Sequence, residues 1–235
     1  MLGGNDAEMT HIKETLDVNN IPYLDKGLGW GAKVEDYAEE IAQLVAEGKQ
    51  PVAIELAGAG EGEYAHVMSI DHHGNRAQEK ASIMQVLEMI DVAPSLKDEL
   101  IAANDSGYIP AMQQLLATKG INDTKEQQKM IDMVRYMDRK AQGIMSEQED
   151  QARDAVANKE VLLDGALVVV MLPHSKSATV TDRLFGTYTN LLILSGDGEV
   201  NFFGDGALCK ELGDAFPGGR NGGSGLGIKG GNAYW

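Results

Sequence analysis

A carboxylate and two imidazoles stand side by side at Asp71-His72-His73, directly after the apolar stretch His66-Val67-Met68-Ser69-Ile70. Open α/β sheets present their ligands where strands end, so a triplet in this place is a candidate for catalysis or metal binding. Further carboxylates fall at comparable positions. Asp6 and Glu8 lie two apart near the start, Glu55 ends the preceding apolar run, and Asp105 sits in Ala103-Asn104-Asp105-Ser106-Gly107. Several carboxylates and an imidazole converging on one crevice make a hard, oxygen-rich site with one or two nitrogens, suited to Mn²⁺ or Mg²⁺ rather than structural zinc. One or two ions are expected, and two of them roughly 3.5–4 Å apart can hold a bridging hydroxide and clamp a phosphoryl group for in-line attack. Asn104 and Ser106 flank Asp105 and are placed to orient it.

The elements that must position these residues can be read from period and punctuation. Val34, Tyr37, Ala38, Ile41, Leu44 and Val45 recur at spacings of three and four, which predicts an amphipathic helix ending at Gly48. Pro51 then opens Val52-Ala53-Ile54-Glu55-Leu56, a short buried strand, and a second strand ends at Asp71. Ser82 to Ile90 and Leu96 to Ala103 read as helices. A charged, helix-favouring stretch from Thr124 to Asn158 follows, with Met130, Met133, Val134 and Met137 on its packing stripe. From Leu162 the texture changes. Ala166 to Leu172 is β-rich, Lys176 to Phe185 helical, and Asn190 to Ser195 and Val200 to Phe203 are strands joined by Gly196-Asp197-Gly198. Ala207 to Phe216 reads as a helix before the glycine-dense Pro217 to Gly231. The order predicts an α/β protein in three parts: a parallel-sheet domain at 1–120, a helical connector at 121–160 and a smaller α/β domain at 161–235.

The succession of motifs resembles the DHH phosphoesterase superfamily, and the tail resembles the DHHA1 domain that follows it in many members. Gly4-Asn5-Asp6-Ala7-Glu8 is similar to the family's first acidic motif, Glu55 to the second, Asp71-His72-His73 to the third and Asp105 to the fourth. The resemblance implies that Asp6, Glu8, Glu55, Asp71, His72 and Asp105 are metal ligands, and that His73 meets the phosphate or serves as acid beside Asp71. Gly218-Gly219-Arg220-Asn221-Gly222-Gly223-Ser224-Gly225 is similar to the DHHA1 substrate loop, implying substrate contacts from Gly218, Gly219, Arg220, Asn221 and Ser224. The sequence departs from the pattern in four places. Gly4 stands where the family has a metal-binding His, Glu replaces Asp at positions 8 and 55, and Arg220 takes the place of the loop histidine. Arginine keeps the chemistry of anion binding, because its fixed fork of donors grips phosphate bidentately. Arg76, five residues beyond Asp71, is a further candidate phosphate contact.

Composition narrows the substrate. The formal net charge is −16, from 20 Lys+Arg against 36 Asp+Glu, which disfavours duplex nucleic acid and anionic membranes but not small ligands. The single Cys209 excludes an intrachain disulfide and a cysteine zinc cluster, and is expected to be buried in a cytoplasmic protein. No apolar run approaches the ~20 residues of a membrane span. The expected function is hydrolysis of a small phosphodiester or phosphomonoester, such as a short oligonucleotide, a cyclic dinucleotide or a nucleotide, in a cleft between the domains. The alternative is a catalytically degenerate binding or regulatory module for a small anionic ligand. Either is compatible with a homo-oligomer. The glycine loop Leu56-Ala57-Gly58-Ala59-Gly60-Glu61-Gly62 is no dinucleotide site, because Glu63 to Ala65 leave too few residues for the helix such a unit needs.

Overall fold

The computed structural model describes residues 1–29, 31–76, 78–223 and 225–235, and the chain is a mixed α/β protein of two compact units, Met1–Gly143 and Ile144–Trp235. In the first unit, β1 (Val52–Ile54) and β2 (Met68–Ile70) pair in parallel, with Val52 opposite Met68 and Ile54 opposite Ile70. Leu2 adds a parallel bridge to Ile54, so three chain segments run side by side and end together. Around them pack α1 (Ala7–Val18), α2 (Ala38–Ala46), α3 (Ser82–Met89), α4 (Leu96–Thr118) and α5 (Thr124–Ala141). Met9, Ile12 and Leu16 recur at helical spacing and bury one face of α1 against Leu2, Ile54 and Ile83. Each such side chain contributes about 1.5–3 kcal/mol by leaving water.

Two helices differ from the pattern expected of them, and both differences bear on the site. α4 continues past Ala103 to Thr118 but breaks at Gly107 and Tyr108, where Tyr108 takes φ 58 and ψ −150. A bulky residue at positive φ stores on the order of 1–3 kcal/mol, so the surrounding structure must hold it there. The stretch expected as a connector is two helices, α5 in the first unit and α6 (Ser146–Ala157) in the second, separated at Gly143 with φ 74. The buried stripe of α5 is Ile131, Val134, Arg135 and Asp138, and Met133 is exposed. Of the expected stripe, Val134 is buried, Met130 and Met137 are half-buried and Met133 faces outward, while Arg135 and Asp138 pack inward.

The second unit is a five-stranded sheet of β3 (Glu160–Leu162), β4 (Leu167–Leu172), β5 (Leu191–Ser195), β6 (Val200–Asp205) and β7 (Asn232–Tyr234), in that order. β4 and β5 are parallel and the other pairs antiparallel. α6 and α7 (Ala178–Leu184) cover Val168, Val170, Leu191 and Ile193, and α8 (Gly206–Ala215) brings the buried Cys209 against Phe202 and Ala233. β3 and β7 were not expected from the sequence. The glycine-rich segment before β7 is packed tightly. The Gly206 amide donates to Gly231 O, the Gly227 amide donates to Gly206 O, and a Cβ on Gly206 would fall inside the Gly225 carbonyl. Among the described residues no helix is long and apolar enough to cross a membrane.

Candidate metal centre

The ends of the three parallel segments carry the expected acidic residues to one place. Glu55 leaves β1 at φ 52, a left-handed turn that redirects its side chain, while its amide donates to Ile70 O. Gly3 makes room for this turn, since a Cβ there would overlap the Glu55 carbonyl. Asp6 caps α1, its Oδ1 accepting from the Met9 amide at 2.8 Å. Glu8, in the first turn of α1, is fully buried. Its Oε1 accepts from the Ile83 amide at 2.9 Å, at the start of α3, so that helix fixes the carboxylate in place.

The remaining atoms meet around His72, which follows β2 and is buried. Its Nε2 lies 2.5 Å from Asp105 Oδ2, 3.6 Å from Glu8 Oε2 and 3.8 Å from Glu55 Oε1. All four of these atoms are buried, and none is aligned for a hydrogen bond with any described group. Buried polar atoms are ordinarily satisfied, and four of them aimed at one point is the arrangement a cation would satisfy. Ligand atoms of Glu55, His72, His73 and Asp105 also lie within 4.8 Å of one another. Three carboxylates with imidazole nitrogen match a hard divalent ion of the Mn²⁺ or Mg²⁺ type.

Electrostatics tell the same story for the metal-free chain. Burial first, then repulsion from Glu8, pushes the Glu55 carboxyl up to about 10. The Asp105 carboxylate, then Glu8, holds His72 protonated up to about 10. Burial, with Asp105 and Glu8 as neighbouring charges, raises Asp6 to about 6. Carboxylates packed this closely retain protons unless a cation replaces them.

Asp6, Glu55, Asp71 and His73 line an adjoining cavity of about 160 Å³ with Gly4, Gly31, Ala32 and Ala57. Asp71 faces this cavity, and its Oδ1 accepts from the His73 amide at 2.9 Å and lies 3.0 Å from His73 Nδ1. The structure therefore gathers Glu8, Glu55, His72, His73 and Asp105, sets Asp6 beside them, and turns Asp71 toward His73. Arg76 is committed elsewhere: its guanidinium pairs with Glu79 and donates to Ser69. His11 is buried between Asp98 at 2.6 Å and Glu14 at 3.0 Å. In the second unit Gly218, Gly219, Arg220 and Asn221 are exposed, and Ser224 lies outside the described residues. Sequence reasoning passed over Arg135 and Asp138, a buried ion pair at 2.7 Å. The available signal was their i, i+3 spacing in register with Ile131 and Val134.

No protein-family model matches the chain, and no curated protein matches it. Among solved structures it is similar to an exopolyphosphatase-related protein from Bacteroides fragilis, at 13% identity and a TM-score of 0.41, over 99% of this chain and 85% of that one. A likeness of that extent bears on neither activity nor ligand.

Proposed function

We propose that the chain is a divalent-metal-dependent phosphoesterase of the DHH type, acting on a small phosphodiester or phosphomonoester. The observation that carries this reading is the convergence of Glu8 Oε2, Glu55 Oε1, His72 Nε2 and Asp105 Oδ2, all buried and all without hydrogen bonds. These four side chains would hold one ion of the Mn²⁺ or Mg²⁺ type. Bound there, it supplies a Lewis acid for a phosphoryl oxygen and neutralises the carboxylate cluster.

The chain's own groups divide the remaining work. α3 fixes Glu8 through the Ile83 amide, so one ligand is rigid before any ion arrives. Asp71 accepts from the His73 backbone and, in the Nδ1–H tautomer, from the ring, which orients His73 at the cavity wall. Doubly protonated, with Nδ1–H held by Asp71, the His73 ring would donate from Nε2 to a phosphoryl oxygen or give that second proton to the departing oxygen. Arg220 and the amides of Gly218 and Gly219 are the proposed grip on a second anionic group of the substrate. The net charge of −16 favours a small ligand over an extended polyanion.

The second reading is a catalytically degenerate binding module, motivated by Gly4 in place of the first-motif histidine and Arg220 in place of the loop histidine. Chelator-stripped protein reloaded with Mn²⁺ should be tested on a dinucleotide, a cyclic dinucleotide, a nucleoside monophosphate and a short polyphosphate. Hydrolysis of at least one, reduced roughly 100-fold or more by Asp105→Asn, supports the enzyme. Mn²⁺ binding without turnover transfers the conclusion to the binding module. Absence of Mn²⁺ binding removes both.

A further inference from the structure

A buried cation ties together the two segments that deliver carboxylates to the metal centre, the start of α1 and the middle of α4. Arg135 on α5 donates from Nη1 to Asn104 Oδ1 at 2.8 Å, and its guanidinium lies 4.6 Å from the centre of the Tyr108 ring. Asn104 and Tyr108 bracket Asp105, Asn104 in the helical turn before the break in α4 and Tyr108 within the break itself. The same Nη1 pairs with Asp138 Oδ2 at 2.7 Å. Asp138 in turn reaches α1, where its Oδ1 accepts from the Ala7 amide at 3.3 Å, between Asp6 and Glu8. Gln142 donates to Asp138 Oδ2 at 3.0 Å and completes the cluster. Arg135, Asp138 and Asn104 are each more than nine-tenths buried.

We propose that Arg135 and Asp138 are positioning residues for the metal centre: through Asn104, Tyr108 and the Ala7 amide they hold Asp105 and Glu8 at the separation an ion requires, without touching the ion. The inference rests on the metal-site reading above. Its physical basis is that a helix broken at a positive-φ tyrosine does not hold a carboxylate in place by itself. A planar guanidinium that bonds Asn104, pairs with Asp138 and stacks on Tyr108 fixes the turn before that break and the break itself. Lysine has the charge but neither the fork nor the stacking face, so it cannot replace those contacts together.

The test is Mn²⁺ titration of the full chain by calorimetry and electron paramagnetic resonance, on wild type, Arg135→Met, Arg135→Lys, Asn104→Ala, Ile131→Ala and Glu55→Gln. Groups that orient ligands typically change metal affinity roughly 10–100-fold. Arg135→Met should lose affinity in that range and broaden the Mn²⁺ spectrum, with Arg135→Lys intermediate. Asn104→Ala, which leaves the Arg135–Asp138 pair in place, covers the case in which Arg135→Met fails to fold, and should lose about 10-fold. Ile131→Ala cuts a buried apolar contact on the same helix, so it should lower the melting temperature while keeping affinity and spectrum. Wild-type affinity and spectrum in Arg135→Met, or in Asn104→Ala where the former does not fold, would overturn the proposal even as Glu55→Gln abolishes binding. Equal losses in Ile131→Ala and Asn104→Ala would overturn it in favour of plain stability. No Mn²⁺ bound by wild type would instead refute the metal site itself, and the positioning role with it.

Discussion

Stripping divalent metal from the protein and then raising the pH should destabilise the first unit. In the metal-free chain, burial and then Glu8 hold Glu55 up to about 10 against an ordinary 4.5. Asp105 and then Glu8 hold His72 up to about 10 against 6.5. Both groups bind protons more tightly folded than unfolded. Their contribution is fully present below the unfolded values and is lost as pH rises toward the folded ones, over roughly 4.5–10 for Glu55 and 6.5–10 for His72. One proton of difference corresponds to about 1.4 kcal/mol per pH unit, so Glu55 alone removes about 2.7 kcal/mol between pH 6 and 8. His72 acts in the same direction above about pH 6.5. Bound metal displaces these protons, so its affinity strengthens with pH, and at one hundred times the dissociation constant it restores about 2.7 kcal/mol. Urea unfolding at pH 6, 7 and 8, in chelator and in excess Mn²⁺, measures the linkage. Hydrogen-exchange protection of α1 and α3 assigns it to the first unit. A metal-free protein equally stable, or more stable, at pH 8 than at pH 6 would refute the reasoning, since Glu55 and His72 would then not share a buried, charge-crowded site.

Glu8→Ala should cost both fold and metal: losing the acceptor for the Ile83 amide destabilises by about 1–3 kcal/mol in urea melts, and Mn²⁺ binding by calorimetry should fall with it. Asp71→Asn, whose carboxylate serves His73, should keep Mn²⁺ affinity within about 10-fold while lowering turnover by about 10² or more, read from steady-state kinetics. Gly206→Ala should destabilise the second unit by at least about 1–3 kcal/mol, because the new methyl overlaps the Gly225 carbonyl. Gly218→Ala, with nothing within 4 Å of the added carbon, is the matched control and should melt like wild type.

The residues that could be found in the sequence are those that end strands. Asp71-His72-His73 and Glu55 follow short apolar runs, and a strand that stops at a polar group displays it at a sheet edge whatever the rest of the fold does. Glu8 was legible as an acid near Asp6, but not as the group that binds the start of α3, because that contact spans 75 residues of chain. Arg135 and Asp138 were invisible for a different reason. On a helix as charged as α5 an Arg and an Asp read as solvated, and only tertiary packing decides that Ile131 and Val134, rather than Met133, face inward. Asp71 was legible as a carboxylate beside two imidazoles, but not its contact with His73, whose backbone amide donates to Oδ1 at 2.9 Å. In the second unit the alternation of β5 and β6 was plain. β7 was not, since its three residues pair with β6 and are held by backbone bonds, the Gly225 amide donating to Asn232 O and Tyr234 exchanging bonds with Gly222, rather than by an apolar pattern.

The most direct measurement is anomalous diffraction from crystals of the full chain soaked in Mn²⁺, collected near the manganese absorption edge. One peak should lie within about 2.0–2.5 Å of Glu8 Oε2, Glu55 Oε1, His72 Nε2 and Asp105 Oδ2 together, a separation at which hard cations bond oxygen. No peak at that point, with Mn²⁺ absent or bound only on the surface, would contradict the assignment of these four side chains as a metal centre.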